Sequence, residues 1–136
     1  MKNDILQKWF SGICSRRTMP FSNAVIVTGV RDEHRGPRWE FAKIEVSIQP
    51  ANGFEVSYGR HAVKAEFLEA AVFGLMDVLF TGYSTPVRDV KIELLKAEEH
   101  PVDSTEIAFR EAGRDAGRKA LEQIKGGLYA PPGAAP

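Results

Sequence analysis

The sequence predicts a two-layer α+β sandwich, in which two helices cover one face of a four-stranded mixed sheet. Its 136 residues are enough for one compact domain, and a composition of 43% hydrophobic and 26% charged residues is typical of a globular protein. The predicted elements follow the order β-β-β-α-β-α. Each strand has one apolar and one polar face, so we expect both helices to lie on the same side of the sheet.

Three strands are predicted before the first helix of this domain. Residues 24–30 are apolar and β-branched, which is typical of a strand. The charged segment 31–38 contains a Gly-Pro pair that stops regular structure, so we expect a loop there. In residues 39–48 every second side chain is apolar, which predicts a strand with one buried face. A turn at residues 50–53 then leads into a third strand that begins at Phe54.

Two helices and a fourth strand complete the predicted domain. Residues 64–80 carry a wide apolar face at helical spacing, and residues 87–95 alternate as a strand does. Asp103 is followed three residues later by Glu106, an arrangement typical of a capping box at the start of a helix. We expect this last helix to end near Ile124 and to bury a side lined with Ala108, Ala112, Ala116 and Ala120.

Both ends of the chain are predicted to lie outside the domain, which we assign to residues 22–125. Residues 1–21 carry apolar side chains at helical spacing, so we expect an arm that forms a short helix. This arm either docks on the domain or binds a partner or a membrane surface. Residues 126–136 begin with two glycines and continue as a Pro- and Ala-rich run, which predicts a disordered tail.

Charge and composition limit the classes of function. The net charge is zero, which argues against binding nucleic acid through bulk charge. The chain up to Lys43 nevertheless has 8 basic and 4 acidic residues, against 10 and 14 in the remainder, so any basic contact surface must be local. No apolar run is long enough to cross a bilayer, there is no secretion signal, and Cys14 is the single cysteine. We therefore expect a cytoplasmic protein.

The sequence gives little support to catalysis or metal binding. It contains no Gly-x-x-x-x-Gly-Lys-Ser/Thr motif, the usual phosphate-binding loop of GTPases. The three histidines and Cys14 lack the spacing of metal ligands, and no serine or cysteine nucleophile has an evident base beside it. We expect no enzymatic activity, cofactor or metal ion. A hydrolase or nuclease is the weakest alternative, and it would require carboxylates that converge in a cleft.

The segment 82–118 reads GYSTPVRDVKIELLKAEEHPVDSTEIAFREAGRDAGR, and it resembles domain IV of elongation factor G. That family typically has a Gly-Tyr-Pro-Val-x-Asp strand entry, a Tyr-His-Asp-Val-Asp-Ser-Ser-Glu loop and a helix that begins x-Ala-Phe. Here residues 82–83 and 86–89 match the strand entry, with two residues inserted between them. Residues 100–106 match the loop, and residues 107–109 open the helix.

The resemblance extends from about Ala24 to Gln123, and it includes Arg35-Gly36-Pro37-Arg38-Trp39 in the place of the family's Arg-Gly-Gln-aromatic loop. It implies the fold of ribosomal protein S5 domain 2, and a stand-alone domain IV that lacks the GTPase. It also implies that this loop and the loop of His100 lie side by side at the tip of the domain. In the family, that tip enters the ribosomal decoding site beside messenger and transfer RNA.

Residues of both loops become candidates for contact with the ribosome or RNA. These candidates are Arg35, Gly36, Arg38, Trp39, Lys43 and His100. Arginine pairs with phosphate in a forked geometry, and an imidazole can stack or hydrogen bond with nucleotides. Trp39, Phe41 and Lys43 share one strand face, which is either an aromatic and basic platform for bases or a surface that the N-terminal arm covers.

Two functions remain open at this point. The first is a non-catalytic, translation-related module that binds the ribosome or a structured RNA through segments 31–39 and 96–103. The second is a protein-interaction module that has kept the fold but lost RNA contact, with a homodimer through the N-terminal arm as one form of it. Glu98 and Glu99 favour the second because carboxylates repel phosphate, and Pro37 lacks the donors of the family's glutamine.

Overall fold

The computed structural model describes residues 23–82, 86–100 and 103–128. The elements are β1 (Val25–Arg35), β2 (Arg38–Pro50), β3 (Glu55–Ser57), α1 (Ala65–Thr81), β4 (Val90–Glu99) and α2 (Glu106–Leu128). This succession confirms the predicted order of strands and helices. The predicted arm at residues 1–21 lies outside the described residues, as does the tail from residue 129 onward. None of the described helices is long and apolar enough to cross a membrane.

The four strands form one mixed sheet in the order β1-β2-β4-β3. β2 pairs with β1 and with β4 in antiparallel fashion, whereas β3 and β4 are parallel. Parallel neighbours need a crossover connection, and α1 supplies it here. β1 and β3 are therefore the two edge strands of the sheet.

Small residues let α2 approach both β1 and α1 very closely. A Cβ atom on Gly29 of β1 would lie 2.0 Å from the carbonyl oxygen of Ala112, and one on Gly113 would lie 1.9 Å from that of Ala71. Any larger side chain at either glycine would force two elements apart. The predicted alanine stripe of α2 is confirmed, because all its members are fully buried: Ala108, Ala112, Ala116 and Ala120.

The core lies between the helices and the inner face of the sheet. The alternation predicted for the second strand is confirmed, since the side chains of one face are buried: Ala42, Ile44, Val46 and Ile48. The fourth strand contributes Val90, Ile92 and Leu94 to the same cluster. Phe109 at the start of α2 is fully buried, and it stacks on Phe67 of α1 with a centroid distance of 5.0 Å.

The loop predicted over residues 31–38 is wrong, because β1 continues to Arg35 and β2 begins at Arg38. Only Gly36 and Pro37 form the turn, and the φ angle of Gly36 is +59°. That left-handed conformation favours glycine, and it is required in the common two-residue hairpin turns. The charged residues were misleading because a projecting hairpin exposes both faces, so its strands are held by cross-strand pairs and need no apolar side.

The fourth strand also extends further than predicted, to Glu99 instead of Leu95. Its register with β2 shifts between Glu45, which pairs with Lys96, and Val46, which pairs with Leu94. Leu95 is therefore the extra residue of a β-bulge. The bulge breaks the period-two pattern, which explains why the pattern ended the predicted strand too early.

The predicted cap of the last helix is wrong, and the helix continues beyond its predicted end. The hydroxyl oxygen of Thr105 accepts a hydrogen bond from the amide of Ala108 at 3.0 Å, so Thr105 takes the role expected of Asp103. α2 then continues through residues 126–127 to Leu128. Two glycines cost about 1 kcal/mol each in a helix, but the buried turns before them have already nucleated it, and each added residue gains a hydrogen bond.

Candidate functional site

The turn of the β1–β2 hairpin and the segment after β4 lie at the same end of the sheet. Trp39 follows the turn at Gly36 by three residues, and its ring lies 5.0 Å from the ring of His100 between centroids. The structure thus brings together two candidate segments that are far apart in the chain. Arg35 and Arg38 form the cross-strand pair beside the turn, and Gly36 is exposed.

Four rings pack together at this end, and we call His34, Trp39, Phe41 and His100 the tip cluster. His34 stacks on Trp39 with 5.6 Å between centroids and an interplanar angle of 11°. Phe41 lies 5.7 Å from Trp39 in a tilted arrangement, on the side of the sheet away from the helices. The carboxylate of Asp32 accepts a hydrogen bond from the indole nitrogen of Trp39. Trp39 is therefore held in place and half-buried, and the two imidazole rings pack against it.

Ser104 fastens the histidine segment to β2. Its hydroxyl oxygen accepts a hydrogen bond from the amide of His100 at 2.7 Å, and the hydroxyl donates to the carbonyl of Phe41 at 2.7 Å. The amide of Phe41 in turn donates to the carbonyl of Asp103 at 3.3 Å. These bonds hold the backbone of His100 in register with the strand that carries Trp39.

The side chain of His100 faces Asp103 through one of its ring nitrogens. Nδ1 lies 2.7 Å from Oδ2 of Asp103, a close contact that lacks the alignment of a hydrogen bond. Nδ1 is buried, whereas the side chain as a whole is 43% exposed. The exposed fraction thus belongs to the other atoms of this side chain.

The tip is not a basic surface. Residues 31–40 hold three arginines and three carboxylates, and residues 96–103 hold one lysine and three carboxylates. Arg31 is already paired with Glu33 at 3.1 Å and with Glu40 at 3.3 Å. The sheet face below the cluster is balanced too, because exposed Lys43 pairs in register with Glu98. Arg35 and Arg38, beside the turn, are the other two arginines of residues 31–40.

Sequence reasoning missed Asp32, His34 and Ser104. The first two follow from the hairpin register, because a two-residue turn at Gly36 and Pro37 places His34 opposite Trp39. A turn assigned to Gly36 and Pro37 would have revealed that Asp32 and His34 lie on the strand beside Trp39. Ser104 was assigned only to a loop motif, and its two bonds depend on how that loop docks on β2.

A second polar region is a cavity of about 300 Å³ between β1 and α2. Its lining residues are Val30, Arg31, Asp32, Glu33, Glu111, Asp115 and Arg118. Several carboxylates converge here, which is the arrangement that a hydrolase would need. They are engaged in structural contacts, however: Asp32 with Trp39, Glu33 with Arg31, and Glu111 with Arg114 at 3.9 Å.

Asp115 is the most firmly held of the cavity carboxylates. Its Oδ2 accepts a hydrogen bond from the amide of Val30 at 3.0 Å and lies 2.9 Å from Nζ of Lys119. Burial alone would raise the pKa of Asp115, but the bonds from Lys119 and Val30, with the charges of Lys119 and Arg118, outweigh burial and lower it. An ionised, bonded carboxylate is a poor general acid. No metal-binding group of three or more His, Cys, Asp or Glu side chains occurs within the described ranges.

Comparison with known proteins identifies relatives over most of the chain. Residues 23–125 match the family described as elongation factor G, domain IV. Elongation factor G of Rhodopseudomonas palustris (strain BisB18) is 35% identical over 103 residues, which are 71% of this chain and 15% of that protein. Elongation factor G 2 of Desulfotalea psychrophila is 32% identical over 110 residues, 76% of this chain and 16% of that one.

A solved structure supports the fold independently. A crystal structure of a Thermus thermophilus protein superposes with a TM-score of 0.68 at 18% identity, and the match covers 79% of this chain and 18% of that one. At this identity the likeness establishes the two-layer fold alone. The chain thus spans about 15% of the length of the curated relatives it matches.

Proposed function

The chain belongs to the elongation factor G domain IV family, and we propose that it is a non-catalytic, translation-related module that binds the ribosome or a structured RNA through its tip. Family membership supports the translation-related role. The tip cluster is the observation that carries the binding proposal, because two imidazole rings pack against a fixed indole at a projecting end of the sheet. We place this activity in the cytoplasm, without a cofactor.

Rings provide most of the contact in this proposal. An aromatic ring that stacks on an unpaired base contributes about 1–3 kcal/mol per base. Unpaired bases are exposed in the loops and bulges of structured RNA, and imidazoles can stack on them while donating a hydrogen bond. Arg35 and Arg38 add charge-assisted bonds to phosphate, and Gly36 lets the backbone approach closely.

The first test is cosedimentation with small ribosomal subunits at low salt. We expect the wild-type chain to associate, and Arg35→Ala/Arg38→Ala and His34→Ala/His100→Ala each to weaken association by about tenfold or more, as expected for losing one or two contacts. The matched control is Arg60→Ala/Arg110→Ala, which removes the same charge from exposed positions away from the tip. Failure of the wild type to sediment, or equal loss in the control, would contradict the proposal.

The acidic segment at the end of β4 favours a second candidate, a module that binds a basic protein. Residues 96–103 contain Glu98, Glu99 and Asp103, with Lys96 as the single lysine. Glu98→Lys/Glu99→Lys distinguishes the two candidates. Tighter binding to RNA or ribosomal subunits supports the lead proposal, whereas loss of ribosome binding that also appears with isolated ribosomal proteins supports a basic protein partner.

A further inference from the structure

An aromatic strip lies along the β3 side of the molecule, away from the tip cluster. We define it as Phe54 and Tyr58, which flank β3, together with Phe73, Met76 and Phe80 of α1. Three of these side chains are well exposed: Phe54 at 40%, Tyr58 at 36% and Phe73 at 61%. β3 pairs with residues near the start of β4, whereas His100 of the tip cluster follows the last residue of β4. The two surfaces therefore lie at opposite ends of that strand.

Two observations connect the residues that flank β3 with α1. At one end, the ring of Phe54 meets that of Phe80 edge-on at 5.5 Å. At the other end, burial and then the nearby carboxylate of Glu69 raise the pKa of Tyr58. Residues 69, 73, 76 and 80 fall on one side of a helix. Phe73 therefore lies along α1 between Glu69, beside Tyr58, and Phe80, beside Phe54.

β3 itself is an uncovered sheet edge. It pairs with β4 on one side, and no described strand pairs with its other side. Within the described ranges, no side chain bonds to the backbone of Glu55–Ser57 at that edge. Exposed aromatic residues beside an open strand edge form the kind of surface that pairs with another chain.

The sequence around β3 is self-complementary when two copies pair in antiparallel fashion about Val56. In that register Phe54 faces Tyr58 of the other copy, and Glu55 faces Ser57. A two-fold axis makes each of these pairs occur twice. Facing aromatic side chains on neighbouring strands stabilise a sheet, and no two like charges face each other in this register. In this register a second copy therefore places aromatic side chains opposite each other and brings no like charges together.

We propose that two copies of this chain associate through their β3 edges, which joins the two sheets and packs the two aromatic strips together. The Phe73 rings lie above the joined edges and bury each other's exposed faces. This association does not depend on the proposed function, because it leaves the tip cluster of each copy uncovered.

The first experiment measures the oligomeric state by sedimentation velocity over a wide range of protein concentration. The variants are Phe73→Asp and the matched control Ile107→Asp, since Ile107 is 59% exposed on α2 and lies outside the strip. We expect the wild type and Ile107→Asp to dimerise alike, and Phe73→Asp to raise the dimer dissociation constant at least tenfold. A wild type that stays monomeric, or two variants that behave alike, would overturn the proposal.

The second experiment tests the register with single cysteines in a Cys14→Ser background. Phe54→Cys and Tyr58→Cys are oxidised separately and as an equal mixture. The register places the thiol introduced by Phe54→Cys beside the one introduced by Tyr58→Cys in the other copy. Two copies of the same variant instead hold their thiols about four residues apart, or roughly 13 Å, which is beyond disulfide range. We expect rapid cross-linking in the mixture only, and equally rapid cross-linking of either variant with itself would exclude this register.

Discussion

β1 and β3 are both edges of the same sheet, but among the residues that the structure describes only β1 has a cover. The amide of Val30 donates to Asp115 at 3.0 Å, and Nζ of Lys119 donates to the carbonyl of Thr28 at 2.7 Å. Both partners are side chains of α2, and they occupy backbone groups that would otherwise bind another strand. β3 has no such cover within the described residues, and exposed Phe54 and Tyr58 flank it.

The difference follows from how closely each helix approaches its edge strand. Gly29 lets α2 lie against the backbone of β1, so short side chains such as Asp115 reach the strand. α1 carries Phe73, Met76 and Phe80 on the side toward β3. Phe80 packs edge-on against Phe54, whereas Phe73 is exposed. A helix therefore closes a sheet edge only where a small residue admits it.

The largest effect should come from Gly29→Val, which forces α2 away from β1. A Cβ there meets the carbonyl oxygen of Ala112 at 2.0 Å, so we expect a loss of stability of about 3 kcal/mol or more, at the upper end of what overpacking costs. The amides of the β1 edge should then exchange with solvent faster. Thermal unfolding and hydrogen exchange measure these effects, with Thr28→Val on the same strand as control. Equal stability of the two variants would contradict the close-approach argument.

A smaller effect should follow from Asp115→Ala, which opens the β1 edge without moving the helix. The amide of Val30 loses a charged acceptor, and such bonds contribute about 1.5–3 kcal/mol. We expect faster exchange at Val30, and some association through the β1 edge that the wild type lacks. Glu122→Ala, at an exposed position of α2, is the control. Unchanged exchange at Val30 would show that Asp115 does not protect the edge.

Acid should weaken the covered edge selectively. Because folding lowers the pKa of Asp115, its contribution is present above the ordinary value of 3.8 and is lost as pH falls through the lower pKa of the folded state. Urea unfolding at several pH values should show the stability difference between wild type and Asp115→Asn shrinking below that value. The carboxylate is partly exposed, so the change should be modest. A constant difference would contradict this assignment.

The smallest effect concerns Tyr58 on the open edge. Burial and Glu69 raise its pKa, so Glu69→Gln should bring the value closer to the ordinary 10.0 while leaving the fold intact. The shift can be followed by NMR of the Tyr58 ring carbon during alkaline titration. Glu66→Gln, at an exposed position one turn earlier on α1, serves as control. An unchanged titration would show that Glu69 does not raise the pKa of Tyr58.

Sequence patterns predicted the parts of this fold that repeat regularly. Alternation predicted the buried face of β2, and helical spacing predicted the alanine face of α2. The patterns failed where an irregularity intervened: the bulge at Leu95, the tight turn at Gly36 and the cap at Thr105. Each is a local event that depends on how the neighbouring element docks, and no periodicity encodes that.

The candidate site was predictable only in part for the same reason. The family resemblance implied that Gly36 and His100 share one end, and the structure places them there. The contribution of Asp32 and His34 required the hairpin register, and that of Ser104 required the docked turn. The covered edge at Asp115 was not predictable, because residues 30 and 115 meet only once α2 lies on β1.

The lysine and aspartate of α2 at the β1 edge also determine how far self-assembly can proceed. A sheet open at both edges can add molecules without limit and grow into a fibre. With one side blocked, a pair formed through the remaining side offers no site to a third molecule, so growth stops at a closed unit. The side chains that cover β1 therefore limit the assembly to two molecules.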